Sequence, residues 1–411
     1  MRLPRLFPQR RDPHTAIITE VKSSVRTGDT QKIRKALLTR RSQVGLGLDT
    51  TMELSHILTG RVADTISHEE ATERLEKMAG TLSSRTLPHR TWSTLENLAR
   101  TVGCFSGSHS FSERLLEELN NSPDPAQRFL SAVHRRNRPD AESSWRAMAK
   151  IGHGSSEDFG HYLWLWSRGE DGAASWTTDP EWSRLIEGHR IVLVGPAPVS
   201  EGPPPQFEEA LIGRVLMQEV LQWDQESDPY AGRCDLGWAS RETRNWLRDH
   251  AAWDALAYLQ AVSFRLNDVG GIPHIGESTL IRSARNPRKL MVGGSSPNMI
   301  PLMLWDVLGV QDVTVHLTGT TFFASPRAYS ESNLRLKHSV GKRTDVRGST
   351  GELFERCPTF ARHNVTENLN LVANLVNSGS LSADGDCHKV TNWDVKTYLE
   401  QLDDLYGIER R

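Results

Sequence analysis

The chain has 411 residues, of which 24% are charged and 37% hydrophobic, with a formal net charge of -2. That length supports two domains, each with a full core, and the composition is that of a globular chain rather than a disordered or fibrous one. The near-zero charge gives no global pull toward nucleic acid, so no nucleic-acid partner is expected.

Met1–Arg11 is basic through Arg2, Arg5, Arg10 and Arg11. Pro4 and Pro8 interrupt it and no apolar run follows, so no signal peptide is expected. Residues 12–185 read as helix only. Ala16–Val25 and Lys32–Leu38 carry apolar residues at helical spacing around the turn Thr27-Gly28-Asp29. Ser67-His68-Glu69-Glu70 is a capping-box pattern that opens a helix over Ala71–Leu82. Ser110–Glu113 repeats the pattern before Leu115–Leu119. Asp124-Pro125 starts a helix through Val133, and Asp140–Ile151 and Asp158–Trp166 close the series. Residues 1–185 are therefore expected to form an all-helical N-terminal domain of helical hairpins. Its role is either a docking platform for a protein partner or a helical cap. A second basic cluster, His134–Arg138, predicts a solvated face or a contact with an anionic membrane surface. Gly169–Gly188, with Trp176 and Trp182 inside it and Trp164 and Trp166 before it, reads as a linker whose tryptophans pack one domain on the other.

From residue 186 to 411 the pattern changes to strands alternating with helices. Arg190–Val194 is a β-branched and aliphatic run ending in the turn Gly195–Gly202, as a buried parallel strand opens an α/β unit. Gln206–Ile212 predicts a short helix ended by Gly213. Arg214–Leu221 predicts a second strand, with helix as the alternative. Gly232–Trp238 leads into a third strand, and Arg241–Ala257 is a helix. Gly270–Gly276 is a glycine-rich loop. Lys289–Val292 predicts a fourth strand, a helix with a Ser or Asn cap, Asn298 in the latter case, runs to Leu308, and Val313–Leu317 is a fifth strand. Phe322–Thr350 is polar and reads as a long surface loop of the kind that forms lids. Thr366–Ser378 is an amphipathic helix with Leu369, Val372, Ala373 and Val376 inward, and Trp393–Tyr406 is the last helix. The predicted fold is an α/β doubly wound, Rossmann-like nucleotide-binding domain behind the all-helical one.

No dinucleotide fingerprint and no P-loop is present. Cys104, Cys234, Cys357 and Cys387 form no Cys-x-x-Cys pair and read as reduced thiols. No run approaches the length of a membrane-spanning helix, so the expected location is cytoplasmic, at most peripheral to a membrane. The candidate ligand site joins two turns at strand carboxyl ends, Gly195-Pro196-Ala197 with Ser200, and Gly294-Ser295-Ser296 with Asn298. Backbone N–H groups and hydroxyls there would hold a phosphate against a helix dipole. His363 precedes the Thr366 helix, with Glu367 four residues on as a carboxylate to orient it, and is the candidate general base. Asp384-Gly385-Asp386 resembles an Asp-x-Asp metal motif, but a hairpin turn is the preferred reading. No metal and no cofactor is expected.

These segments together resemble the bacterial relatives of the sialyltransferase-like glycosyltransferases, over about residues 189–407. Ile191–Gly202 is similar to that family's long motif. Gly232-Arg233-Cys234-Asp235 loosely resembles the segment before its next strand. Gly294–Gly319 resembles its short motif, ending in a strand and Gly319. His363-Asn364-x-x-x-Asn368-x-x-Leu371 is similar to its histidine-containing motif. The resemblance implies an inverting, metal-independent transferase with a CMP-sugar-like donor and a glycan or other hydroxyl acceptor. It implies donor contacts at the two turns and at Gly319, and a base at His363. A second reading is a non-catalytic scaffold that binds a nucleotide or sugar.

Overall fold

In the computed structural model of the chain, the described residues are 12–84, 87–167, 179–199, 201–217, 221, 223–265, 269–292, 295–325 and 363–406. They fall into two compact units. Unit 1 holds the described residues up to Leu119 and those from Leu399 on, and unit 2 those from Asn120 through Tyr398.

The described part of unit 1 is helical. It comprises α1 (Pro13–Thr27), α2 (Thr30–Arg40), α3 (Leu48–Ala63), α4 (His68–Leu82), α5 (His89–Thr101) and α6 (Phe105–Asn120). Local chemistry sets the ends of these helices. Asp12 accepts from Thr15 N at the start of α1, where Pro13 lacks an N–H that the first turn could not have used. Gly28, at φ 68°, closes α1 in the left-handed conformation. Ser67 accepts from Glu70 N, as the capping-box pattern predicts. Ser110, by contrast, lies inside α6, which starts at Phe105. The start is fixed from outside the helix, because Asp403 accepts from Phe105 N and Ser106 N, both at 2.9 Å.

His68 Nε2 stands 3.3 Å from the same carboxylate. Burial opposes a charged imidazole, but hydrogen bonds to Asp403 and Cys104 outweigh it and raise the His68 pKa to about 10. A raised histidine pKa contributes stability that is fully present below the unfolded value, near 6.5, and lost as pH climbs through about 10. The stability gap between wild type and His68→Gln should therefore be widest near neutrality and shrink toward pH 10, as read from urea midpoints. A constant gap over that window would mean His68 is not charged in the folded state.

Unit 2 is built on a parallel sheet of seven strands. These are β1 (Arg190–Val194), β2 (Leu211–Leu216), β3 (Leu236–Ala239), β4 (Ala261–Phe264), β5 (Leu280–Ser283), β6 (Thr314–Thr318) and β7 (Ser382–Ala383). Their order is β5-β4-β3-β2-β1-β6-β7. β1 is central: Val192 pairs with Ile212 on one side and His316 on the other. Four of its five residues are buried, which is why the run is continuously apolar rather than alternating. The helices of this unit are α7 (Pro125–His134), α8 (Arg138–Lys150), α9 (Ser156–Trp166), α10 (Pro180–Ile186), α11 (Arg241–Asp249), α12 (Met299–Val307), α13 (Val365–Ser378), α14 (Gly385–Asn392) and α15 (Val395–Tyr406), the last continuing into unit 1.

The units divide after Leu119, not at the change of pattern near residue 185. Helices α7 to α9 belong with the sheet because α13 completes them. Asn370 and Asn374 donate to the carbonyls of His134 and Val133 at the end of α7. Tyr162 of α9 donates to Leu371 O. Of the basic cluster His134–Arg138, His134 and Arg136 are engaged inside the protein, while Arg135 is exposed and Arg138 pairs with Glu142 on its own helix. Arg136 donates to Asn370 Oδ1 and to the carbonyls of Thr391 and Trp393. His134 donates from Nε2 to Leu290 O, and burial lowers its pKa to about 4. The expected linker also contains structure, since Pro180–Ile186 is helical and Trp182 is fully buried within unit 2.

Several strand boundaries differ from the sequence pattern. β2 starts at Leu211 and runs through Gly213. A Cβ at Gly213 would come within 2.7 Å of the Trp238 ring, so this glycine makes room for a tryptophan rather than ending a helix. Lys289–Val292 is not a strand. Pro287 opens a 3-10 turn through Leu290, and Val292 N donates to a side chain, Glu367 Oε2. The predicted helix Arg241–Ala257 stops at Asp249, and a 3-10 turn follows at Trp253–Leu256. β4 and β5, four residues each, were not marked by any long β-branched run.

One buried polar network ties the far side of the sheet to α12. Asp306, fully buried, accepts from Arg282 Nη1 at 2.6 Å, Trp238 Nε1 at 2.9 Å and Arg285 N at 2.9 Å. Arg282 also donates to Asp179 and to Ser263. Its guanidinium lies 4.4 Å from the centre of the Trp182 ring, a cation–π contact that is strong when desolvated.

Candidate functional site

The chain leaves β1 toward β5, then returns to β6 on the other side of β1. The strand order thus reverses between β1 and β6, and in open parallel sheets the carboxyl ends at such a reversal are where ligand crevices form. The helices α12 and α13 lead directly into the parallel strands β6 and β7. They must run against the strands, so their N-termini lie at the same carboxyl edge.

Gly195, Pro196, Ala197 and Gly319 come together at the carboxyl ends of β1 and β6. Gly195 N donates to Thr318 O at 2.8 Å and Ala197 N to Gly319 O at 2.9 Å. A Cβ on Gly195 would lie 2.3 Å from Gly319 O. Gly319 has φ +61°, and a Cβ there would meet Val199 at 2.8 Å. Both glycines are therefore required by backbone approach alone. Asp384 braces the turn from below: Oδ2 accepts from Thr318 Oγ1 and Gly319 N, and Oδ1 accepts from Cys387 N. Asp384 is the N-cap of α14, directly after β7, which replaces the expected hairpin turn. Among the described residues no cluster of three metal-ligating side chains occurs.

The second cluster joins the loop before α12 to the start of α13. Asn298 caps α12, accepting from Ile300 N at 3.0 Å. Its own N donates to Asn368 Oδ1 at 2.6 Å. Glu367, nearly buried, accepts through Oε2 from Val292 N at 3.0 Å and Ser295 Oγ at 2.7 Å, and through Oε1 from Asn364 Nδ2 at 2.8 Å. His363 Nδ1 lies 3.0 Å from Ser296 O. A carbonyl oxygen only accepts, so Nδ1 donates in this pair. One partner of His363 is thus a backbone carbonyl. Glu367, expected to orient the imidazole, bonds the Ser295 loop and Asn364.

Ser295, Ser296, Asn298 and His363 are thus brought together, as are Gly195, Pro196, Ala197 and Gly319. Ser200 and Gly294 lie outside the described residues, as does most of the expected lid Phe322–Thr350. Asn364 and Glu367 form a capping pair, with Glu367 N donating to Asn364 Oδ1. The spacing Asn-x-x-Glu announces that pair, but nothing local announces that Glu367 reaches Ser295. Comparison of the chain with models of protein families, with curated proteins and with solved structures finds no match.

Among the described residues no helix is long and apolar enough to cross a membrane. Cys104, Cys234 and Cys387 are buried free thiols, and Cys357 lies outside the described residues. Burial pushes the Cys234 thiol up to about 12, away from nucleophilic use at neutral pH.

Proposed function

We propose that the chain is an inverting, metal-independent glycosyltransferase using a nucleotide-sugar donor of the CMP-sugar kind and a hydroxyl acceptor. In this reading unit 2 is a doubly wound, Rossmann-like nucleotide-binding domain. The observation that carries it is the pairing of His363 Nδ1 with Ser296 O, which in the neutral tautomer leaves the basic lone pair on Nε2 and so supports the reading of His363 as the base. The strand reversal between β1 and β6 supports a nucleotide at the turn formed by Gly195, Ala197 and Gly319. The chemistry follows from the groups present. Nε2 takes the proton of the acceptor hydroxyl as its oxygen attacks the anomeric carbon, and the nucleotide phosphate leaves from the opposite face. The α12 and α13 helix N-termini at that edge favour the negative charge that develops on the leaving group.

The alternative reading is a non-catalytic scaffold that binds a nucleotide or sugar without turning it over. Incubation of the full chain with a panel of nucleotide sugars separates the two. Release of CMP or another nucleotide, dependent on a saccharide acceptor, is the expected result. Nucleotide binding with no release from any donor would leave only the scaffold.

A further inference from the structure

We propose that the open edge of the sheet at β5 is the surface through which two copies of this chain pair, antiparallel about a twofold axis at Arg282. β5 is the last strand on its side of the sheet. In a parallel ladder alternate residues turn their backbone groups to the neighbouring strand. Leu280 N donates to Gln260 O and Ala284 N to Phe264 O. Leu280, Arg282 and Ala284 therefore face β4, and Ile281 and Ser283 direct their N–H and C=O outward. Among the described residues nothing bonds those outward groups, and both residues are only half-buried. An uncovered edge of this kind takes up a further strand.

The charges beside the edge select a second copy as that strand. An open groove of about 470 Å³ lies at the amino end of β5, and in it Glu181 and Glu277 outnumber Arg184. Beyond the carboxyl end stands Arg288. Glu277 and Arg288 are both exposed, and neither meets an opposite charge among the described residues. An antiparallel pair sets the acidic end of each β5 beside the basic end of the other, whereas a parallel pair would oppose like ends. With the axis at Arg282, Ile281 of one copy lies opposite Ser283 of the other, and the two exchange their N–H and C=O bonds. The contact uses the same patch twice and closes on itself. The Arg282 side chains that approach each other at the axis carry like charges, but each is already neutralised by Asp306 and Asp179.

The pairing is independent of the transferase reading. Sedimentation of the full chain through a dilution series should show a monomer–dimer equilibrium. Ser283→Pro removes an outward N–H and no bond to β4, a position where an edge strand accepts proline. Its melting temperature should stay near that of the wild type, while its dimer dissociation constant rises by about tenfold or more. Cross-linking reads the register. Residues opposite each other in a hydrogen-bonded antiparallel pair have Cα atoms about 5.5 Å apart, within reach of a disulfide. Ile281→Cys and Ser283→Cys, oxidised with glutathione disulfide, should form a covalent dimer only when the two variants are mixed. Like positions lie diagonally across the axis, beyond that reach. A wild-type chain that is monomeric at every concentration leaves the edge to some other strand and overturns the proposal. So does a dimer that Ser283→Pro leaves intact, or a mixture that cross-links no faster than either variant alone.

Discussion

His363→Ala is expected to lower turnover by roughly two to four orders of magnitude while leaving donor affinity nearly unchanged. In the proposed reaction the imidazole acts on the acceptor proton in the transition state, and the proposed nucleotide contacts at Gly195, Ala197 and Gly319 do not involve it. The acidic limb of the pH–rate profile should vanish in the variant, because that limb reports protonation of the base. Binding by calorimetry and turnover by nucleotide release, measured on one preparation, make the comparison. A structural histidine would behave otherwise: melting temperature and activity would fall together and the pH limb would remain. Chelation by EDTA is the control. Activity abolished by EDTA but kept in His363→Ala would move the chemistry to a metal.

The second large effect concerns stability. Asp306→Ala removes the acceptor of Arg282, Trp238 and Arg285 N from a site with no access to water. Removing one partner of a buried ion pair costs about 3–5 kcal/mol; Asp179 and Ser263 still hold Arg282, so the loss falls at the lower end and for a unit of this size lowers the melting temperature by on the order of 10 °C. The double variant Asp306→Leu, Arg282→Met should be more stable than Asp306→Ala alone. It removes the orphaned charge together with its partner and leaves Asp179, which is partly exposed, to be solvated. Thermal melts of the three proteins test this. A double variant no better than the single one would show that Arg282 acts through Trp182 and Ser263, not through the ion pair.

What the linear pattern determined was whatever depends on neighbours in sequence. Arg190–Val194 is apolar on both faces and β-branched, so a buried parallel strand followed, and it is the centre of the sheet. Asp124-Pro125 and Ser67-x-x-Glu70 set helix starts through bonds that close within three residues. Gly195 was marked because it ends a strand and Gly319 by the family resemblance, and their backbones meet at the carboxyl ends of β1 and β6. Tertiary structure decided the rest, because the same residue types serve different ends according to distant partners. The chain up to residue 185 looks uniform, yet it divides after Leu119, because Asn370 and Asn374 complete the carbonyl end of α7 from more than two hundred residues away. Leu290–Val292 is as apolar as a strand, but its polar groups meet His134 and Glu367, so no ladder forms. Glu367 sits one helical turn from His363 in sequence, which suggests a partnership, while only folding brings Glu367 to Ser295 and His363 to the Ser296 carbonyl. A side chain's direction at a helix start is set by what packs against it, and that information is not local.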